Sequence, residues 1–133
     1  MSFYIKNILV VILIVLCLYR SSIAEDMAVP QSMLATWTSF KEAVRNGDKD
    51  TVISLSSFPI RSNDLGGTIK SKNELTKRFN KIFDSWVKTC FESNQPEKAP
   101  ESLGYIVNCN GYFFGFLPQA GVYRFSFIDN VNE

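Results

Sequence analysis

The chain has 133 residues, with 14 Lys and Arg, 13 Asp and Glu, no His, and a formal net charge of +1. This balance argues against nucleic acid and anionic lipid as partners, because both require a basic surface that displaces counterions. The absence of histidine excludes Ser-His-Asp and Cys-His catalysis and any His-ligated metal site, and no phosphate-binding glycine loop is present, so we expect neither metal nor cofactor.

The N-terminus has the three-part layout of a secretory signal peptide. Lys6 precedes an apolar run of 11 residues from Ile8 to Leu18, and a small-x-small site ends at Ala24. A spanning helix requires roughly 20 residues, so this run is too short for a permanent membrane span. We predict a signal peptide at 1–24, cleaved to give an exported protein, periplasmic or secreted. An uncleaved N-terminal anchor is the alternative.

Cleavage would leave a single domain at 25–133, with 12 basic and 13 acidic side chains. That length is enough for a core without a metal. Cys17 would be removed with the signal peptide, and it lacks the small preceding residue of a lipoprotein signal. Cys90 and Cys109 remain, and an oxidising compartment lets them pair. We predict this disulfide, with two buried free thiols as the alternative.

The first predicted element of the domain is an amphipathic helix over 31–46, ended by Gly47. Apolar residues recur at spacings of four, three and four, which places them on one stripe. The stripe consists of Met33, Trp37, Phe40 and Val44. We therefore expect this stripe to face the core.

A second, shorter helix is predicted from its N-cap Asp48 through Ser57. Pro59 ends it, because the residue before a proline is pushed out of helical space. The following stretch, 59–71, indicates a small hairpin with polar and glycine turn residues at its centre. Asp48 is thus assigned to a helix start rather than to catalysis.

The longest predicted helix covers 72–93 and opens with a capping box of Ser71 and Glu74. Its apolar arc contains Leu75, Phe79, Ile82, Phe83, Trp86 and Cys90. We expect this arc, including Trp86, to lie in the core, and Asp84 to face water on the opposite side.

The C-terminal part is predicted to be β-structure. Asn110-Gly111 is a strong hairpin signal, and a two-residue loop there pairs Cys109 with Tyr112, Val107 with Phe114, and Tyr105 with Phe116 on one face. A turn at 118–121 separates this hairpin from the last strand. In that strand Tyr123, Phe125 and Phe127 alternate with Arg124 and Ser126, so the three aromatics are expected on one side.

This order of elements resembles the NTF2-like (SnoaL-like, cystatin-like) α+β cone. The resemblance covers about 31–128 and is carried by "FKEAVRNGDKD" at 40–50, "SSFPIR" at 56–61, "IKSKNEL" at 69–75 and "NGYFFG" at 110–115. It implies an α+β fold in which N-terminal helices and one long helix pack on a curved antiparallel sheet. It also implies a cone-shaped cavity and frequent homodimers formed through the sheet face.

Enzymes with this fold place an acid-base pair, often Asp with His or Tyr, in the cavity. Because this chain has no histidine, the remaining catalytic candidates are Asp64 with Tyr105, Tyr112 or Tyr123, in an isomerase- or cyclase-like reaction. A structural role for Asp64 in its turn is the favoured alternative, since Asp often hydrogen-bonds the backbone of turns.

Three residues are candidates for binding. Arg61 and Arg124 either face solvent or hold an anion, and Arg124 has a dimer or partner surface as a third possibility. Phe113 lies on the outward side of its strand, where an apolar patch favours self-association or a partner.

The leading functional prediction is therefore an exported binding domain. It would act on a protein or a small apolar ligand through an NTF2-like cavity or sheet face. The alternatives are the isomerase- or cyclase-like enzyme, a structural dimeric envelope protein, and an inhibitor or immunity-type protein.

Overall fold

A computed structural model describes residues 4–5, 7–15, 28–102 and 104–132. Positions 4–5 and 7–15 are helical and their side chains are exposed. Among the described residues, no helix is both long enough and apolar enough to cross a membrane. Lys6, Cys17 and the expected cleavage site after Ala24 lie outside the described residues.

From residue 28 onward the chain forms an α+β fold, as predicted. The helices are α1 (Gln31–Asn46), α2 (Lys49–Ser54), α3 (Lys72–Ile82) and α4 (Ser85–Ser93). The strands are β1 (Ser56–Ser62), β2 (Glu97–Lys98), β3 (Tyr105–Cys109), β4 (Tyr112–Gln119) and β5 (Val122–Asn130). The sheet is open, with the order β1-β5-β4-β3-β2. One pair departs from the expected antiparallel arrangement, because β1 runs parallel to β5.

The first two helices form where the sequence predicts them. The apolar stripe of α1 is buried along its length, and Gly47 ends the helix in the left-handed conformation, which glycine adopts without steric cost. Asp48 Oδ1 accepts a hydrogen bond from the Thr51 N–H at 3.1 Å, which caps α2. This helix ends at Ser54 rather than at Ser57, because strand pairing with β5 begins at Ser56.

The predicted hairpin at 59–71 has one strand and a single antiparallel bridge. Ile60 and Ile69 exchange two backbone hydrogen bonds of 2.9 Å. Arg78 of α3 holds the turn between them, since its Nη2 donates to the carbonyls of Leu65 and Gly67 at 2.6 and 2.7 Å. The second arm therefore packs on α3 instead of extending the sheet.

The expected single helix over 72–93 is in fact two helices. Ser71 Oγ accepts from the Glu74 N–H at 3.2 Å, as the capping box predicts. The helix then breaks after Ile82, and Asp84 Oδ1 accepts from the Val87 N–H at 2.9 Å to cap α4. This break resets the helical phase, so α4 buries a different set of side chains.

Because of this reset, the placement of Trp86 in the core was wrong. Its side chain is 47% exposed. Val87 and Phe91, spaced four apart, instead face the core from α4. Asp84 is exposed, as expected, but it is a cap rather than a residue of the outer face of one long helix.

The C-terminal hairpin has the predicted register. Cys109 pairs with Tyr112, and the pairing continues to the far end of β3. In β5, however, the register shifts where Gly115 pairs with Phe127 and Phe116 pairs with Phe125. This bulge turns Phe127 to the face opposite Phe125, so the prediction that both lie on one side was wrong.

The predicted Cys90–Cys109 disulfide is present. It joins α4 to β3 with a Cα–Cα distance of 5.8 Å. Cys109 is buried and Cys90 is half-buried. The bond therefore closes the helical layer onto the sheet at the end that carries the Asn110-Gly111 turn.

Candidate functional site

Aromatic rings fill the space between the helices and the inner face of the sheet. The largest fully buried rings are Trp37, Phe40, Phe79, Phe83, Phe91, Phe114, Phe116 and Phe125. The Phe40 ring, for example, lies 5.0 Å from that of Phe125, 5.1 Å from that of Phe116 and 5.8 Å from that of Phe83. These rings pack closely on one another, and grooves of about 280 to 540 Å³ lie open to solvent on the surface.

Of the three tyrosine candidates, the structure brings Tyr112 to Asp64. The hydroxyl of Tyr112 donates to Asp64 Oδ2 at 2.6 Å, and Asn130 Nδ2 donates to the same oxygen at 2.8 Å. The other oxygen, Oδ1, accepts from the Leu65 N–H at 2.6 Å. Tyr105 and Tyr123 lie against each other instead, with ring centroids 5.5 Å apart.

These hydrogen bonds determine what Asp64 can do. The bond from Tyr112, followed by those from Leu65 and Asn130, lowers the pKa of the carboxyl group below its ordinary value. A general base for proton abstraction needs a pKa raised toward neutrality and an oxygen open to substrate. The pKa of Asp64 is lowered rather than raised, so the hydrogen bonds favour its structural role in the turn. Burial raises the pKa of Tyr105, with a further contribution from Tyr123.

Two of the three binding candidates line one groove on the outer face of the sheet. Arg61 and Phe113 both border this groove, which has a volume of about 280 Å³. The guanidinium of Arg61 lies over the Phe127 ring, 5.3 Å from its centroid. Arg124 lies elsewhere, and its Nη1 donates to the Ser54 carbonyl at the C-terminal end of α2 at 2.7 Å.

The floor of this groove is a second apolar cluster, separate from the main core. Ala99, Ile106 and Phe127 are buried in it, and Phe113 and Leu117 pack against them while half-buried. Gly115 makes the cluster possible, because a Cβ at that position would collide with the Phe127 ring. We refer to these five apolar residues, with Arg61, as the outer-face patch.

A neighbouring groove extends the outer-face patch toward β1. Its volume is about 300 Å³, and it shares Arg61, Leu117 and Phe127 with the first groove. These three side chains thus line both grooves and separate them, and we refer to Arg61, Leu117 and Phe127 as the ridge of the patch. Sequence reasoning identified Arg61 and Phe113 but missed Phe127, because the bulge that turns it outward has no local sequence signal.

A larger cleft, of about 540 Å³, lies beside the disulfide. It is lined by Trp86, Thr89, Cys90, Ser93, Asn94, Gln95, Glu97, Asn108, Cys109 and Asn110. We refer to it as the disulfide cleft. Sequence reasoning missed it by assigning Trp86 to the core. The signal was available in Asp84, a good N-cap residue, followed by Val87 and Phe91 at helical spacing.

No group of three or more His, Cys, Asp or Glu side chains in the described ranges could hold a metal ion. Comparisons of this chain with known protein families, with curated proteins and with solved structures find no match.

Proposed function

We propose that this protein is an exported binding protein that recognises an apolar segment of another protein through its outer-face patch. The observation that carries the proposal is the second apolar cluster on the side of the sheet away from the helices. Half-buried side chains there, Phe113 and Leu117, can still lose solvent-exposed area on association. Burial of such area is the main favourable term in most protein association.

The size of the two grooves favours side chains of a protein over a whole small molecule. Pockets that enclose drug-sized ligands measure roughly 300 to 1,000 Å³. Volumes of about 280 and 300 Å³ lie at or below that range, and the ridge of Arg61, Leu117 and Phe127 divides them. Two adjoining depressions suit two anchoring side chains of one partner segment.

Charged side chains at the rim of the first groove can orient a bound partner segment. Arg61 and Asp129 line the same groove with opposite signs. The Arg61 guanidinium stacks on Phe127 and remains exposed. The guanidinium can thus form an ion pair with a carboxylate of the partner, so it would gain a counter-charge as it loses its hydration. We therefore expect the partner segment to carry an acidic residue next to its apolar anchor.

Membership of the NTF2-like superfamily and export are part of this proposal. The α+β architecture and the disulfide support them, since disulfides persist in oxidising compartments. The enzyme alternative has less support, because the hydrogen bonds that hold Asp64 lower its pKa.

Site-specific photo-crosslinking in the native cells tests the proposal. A photoreactive phenylalanine analogue replaces Phe113 in one variant and Thr38, an exposed residue of α1 on the helical side, in the matched control. We expect a discrete adduct with another protein from position 113 and none from position 38. Adding Leu117→Asp should remove the adduct, because a carboxylate would then occupy the ridge.

Two results would contradict the proposal. Equal adducts from positions 113 and 38 would show contact without a specific surface. An adduct of only twice the mass of the chain would identify the partner as a second copy, which supports the structural homodimer instead. Sequencing the adduct would separate an inhibitor or immunity-type role, in which the partner is a toxin or enzyme, from other protein binding.

A further inference from the structure

The disulfide cleft is a second candidate site, and it shares no lining residue with the groove of the outer-face patch. One wall is a single face of α4, on which Trp86, Thr89 and Ser93 follow at spacings of three and four. The opposite wall is the end of β3 and its turn, with Asn108 and Asn110. The disulfide lies between the walls and joins them. The volume of about 540 Å³ falls well within the range of small-molecule sites.

Trp86 supplies an exposed apolar surface at this cleft. It is 47% exposed, although tryptophan side chains in folded proteins are mostly buried. Its ring meets that of Tyr112 edge-on, with centroids 6.0 Å apart. A ring held in place loses little rotational freedom when a ligand stacks on it, so less binding free energy is lost to ordering.

The remaining lining is polar and almost uncharged. Its uncharged polar side chains are Thr89, Ser93, Asn94, Gln95, Asn108 and Asn110, and its one ionisable group outside the disulfide is the carboxyl of Glu97. No Lys or Arg lines the cleft, so phosphate, sulfate and carboxylate ligands would lack a counter-charge there.

Several of these amides retain hydrogen-bonding capacity. Asn94 uses its Nδ2 to donate to the Cys90 carbonyl at 2.9 Å, which leaves its Oδ1 as an acceptor. Asn108 uses its Oδ1 to accept from the Gly111 N–H at 2.9 Å, which leaves its Nδ2 as a donor. Gln95 is exposed, and its amide can both donate and accept.

We propose that the disulfide cleft binds a neutral polyhydroxylated ligand, an oligosaccharide, with a sugar ring stacked on Trp86. A sugar ring presents an apolar C–H face that matches the indole. Its hydroxyl groups each donate and accept, which matches the mixed donors and acceptors of Asn94, Gln95 and Asn108. An apolar ligand would leave these amides unpaired, and an anionic one would meet the Glu97 carboxylate.

Calorimetric titration of the full chain with three probes tests this site. The probes are cellotetraose, maltotetraose and tetra-N-acetylchitotetraose, with inorganic phosphate and tetramethylammonium as charged controls. We expect at least one oligosaccharide to bind and both ions to fail. The bound sugar should also protect tryptophan fluorescence from iodide, because Trp86 is the exposed one of the two tryptophans and Trp37 is only 2% exposed.

Substitutions assign the binding to the cleft. Trp86→Ala should weaken the sugar by about tenfold, the scale of one aromatic contact. Gln95→Ala, which removes an exposed amide, provides a second variant that keeps the ring and should weaken binding by about threefold, the scale of one hydrogen bond. Tyr123→Ala is the matched aromatic control, because Tyr123 is half-buried and does not line the cleft, and it should leave the sugar affinity unchanged.

The proposal is overturned if none of the three oligosaccharides binds, if either ion binds in their place, or if Trp86→Ala and Gln95→Ala leave the affinity unchanged. These outcomes are independent of the crosslinking result, because the two sites share no lining residue. Loss of sugar binding with a retained adduct at position 113 would affect only this inference.

Discussion

The two faces of the sheet bury apolar side chains in different ways. On the inner face, alternate residues of β4 such as Phe114 and Phe116 enter a continuous aromatic layer beneath the helices. On the outer face, their neighbours Phe113 and Leu117 join a small cluster and remain half-buried. The same strand thus builds a closed interior and an open surface. The comparison shows that one strand can supply both a closed core and a partly exposed apolar surface.

The strongest test of this comparison is Phe40→Ala. Phe40 is fully buried among rings on the inner face, so its loss leaves a cavity that the packed neighbours cannot fill. We expect the free energy of unfolding to fall by about 3 to 5 kcal/mol in chemical denaturation. Phe113→Ala, the control on the outer face, should cost about 1 kcal/mol or less. Equal losses would mean that the two faces do not differ in this way.

Removal of the disulfide should have the next largest effect. Cys90 and Cys109 are separated by 19 positions, and a closed loop of that size restricts the unfolded chain. The double variant Cys90→Ser with Cys109→Ser should lower the free energy of unfolding by about 3 kcal/mol. Wild type measured with and without a reductant provides the control. No change on reduction would show that the link between α4 and the sheet adds no stability.

Trp86→Ala should cost much less than the loss of a core aromatic. The residue is nearly half exposed and contacts the ring of Tyr112. We expect a decrease of about 1 kcal/mol in the free energy of unfolding, measured by denaturation in parallel with Phe40→Ala. A loss of stability as large as that of Phe40→Ala would mean that Trp86 is a core residue and does not form an exposed wall of the disulfide cleft.

The smallest expected effect is a pH dependence from Asp64. Its pKa lies below the ordinary value of 3.8, chiefly because of the bond from Tyr112. The ionised carboxylate therefore stabilises the fold above pH 3.8, and this contribution is lost as the pH falls through the lower native pKa. Asp64→Asn should be less stable than wild type at neutral pH, and the difference should shrink in acid.

Denaturation at several pH values between 7 and about 2 measures this effect. Asp48, whose pKa is also lowered by its bonds with Thr51, titrates in the same window and remains in both proteins. The single substitution therefore isolates Asp64. A difference that stays constant over the whole range would show that Asp64 acts through its shape rather than its charge.

Local signals in the sequence predicted much of the fold. The stripe of α1, the glycine after it, the cap at Asp48 and the Asn110-Gly111 turn each depend on neighbouring residues, and each is found as predicted. The disulfide was also predicted, from two cysteines that were expected on inward faces of a chain exported to an oxidising compartment. Periodicity and turn chemistry are sufficient for such features.

The wrong predictions concern segments whose local structure depends on contacts with residues far away in the sequence. Asp84 can sit on the outside of a long helix or begin a new one, and the burial of Val87 and Phe91 in the core favours the new helix. The parallel pairing of β1 with β5 joins segments far apart in sequence. The disulfide cleft follows from the break between α3 and α4, and the position of Phe127 follows from the bulge between β4 and β5, so neither site could be assembled completely from the sequence.

The bulge in β5 has a consequence for how this protein can change by mutation. Ser126 is the extra residue that lets Phe125 point inward and Phe127 outward, and beyond it Asn130 returns to the side that meets Asp64. Deleting one codon at Ser126 would remove only this extra residue, so Phe125 and Phe127 would become neighbours on opposite faces and keep their partners Phe116 and Gly115. A deletion at Ile128, a paired residue of the same strand, would instead reverse the side chains that follow and turn Asn130 away from Asp64.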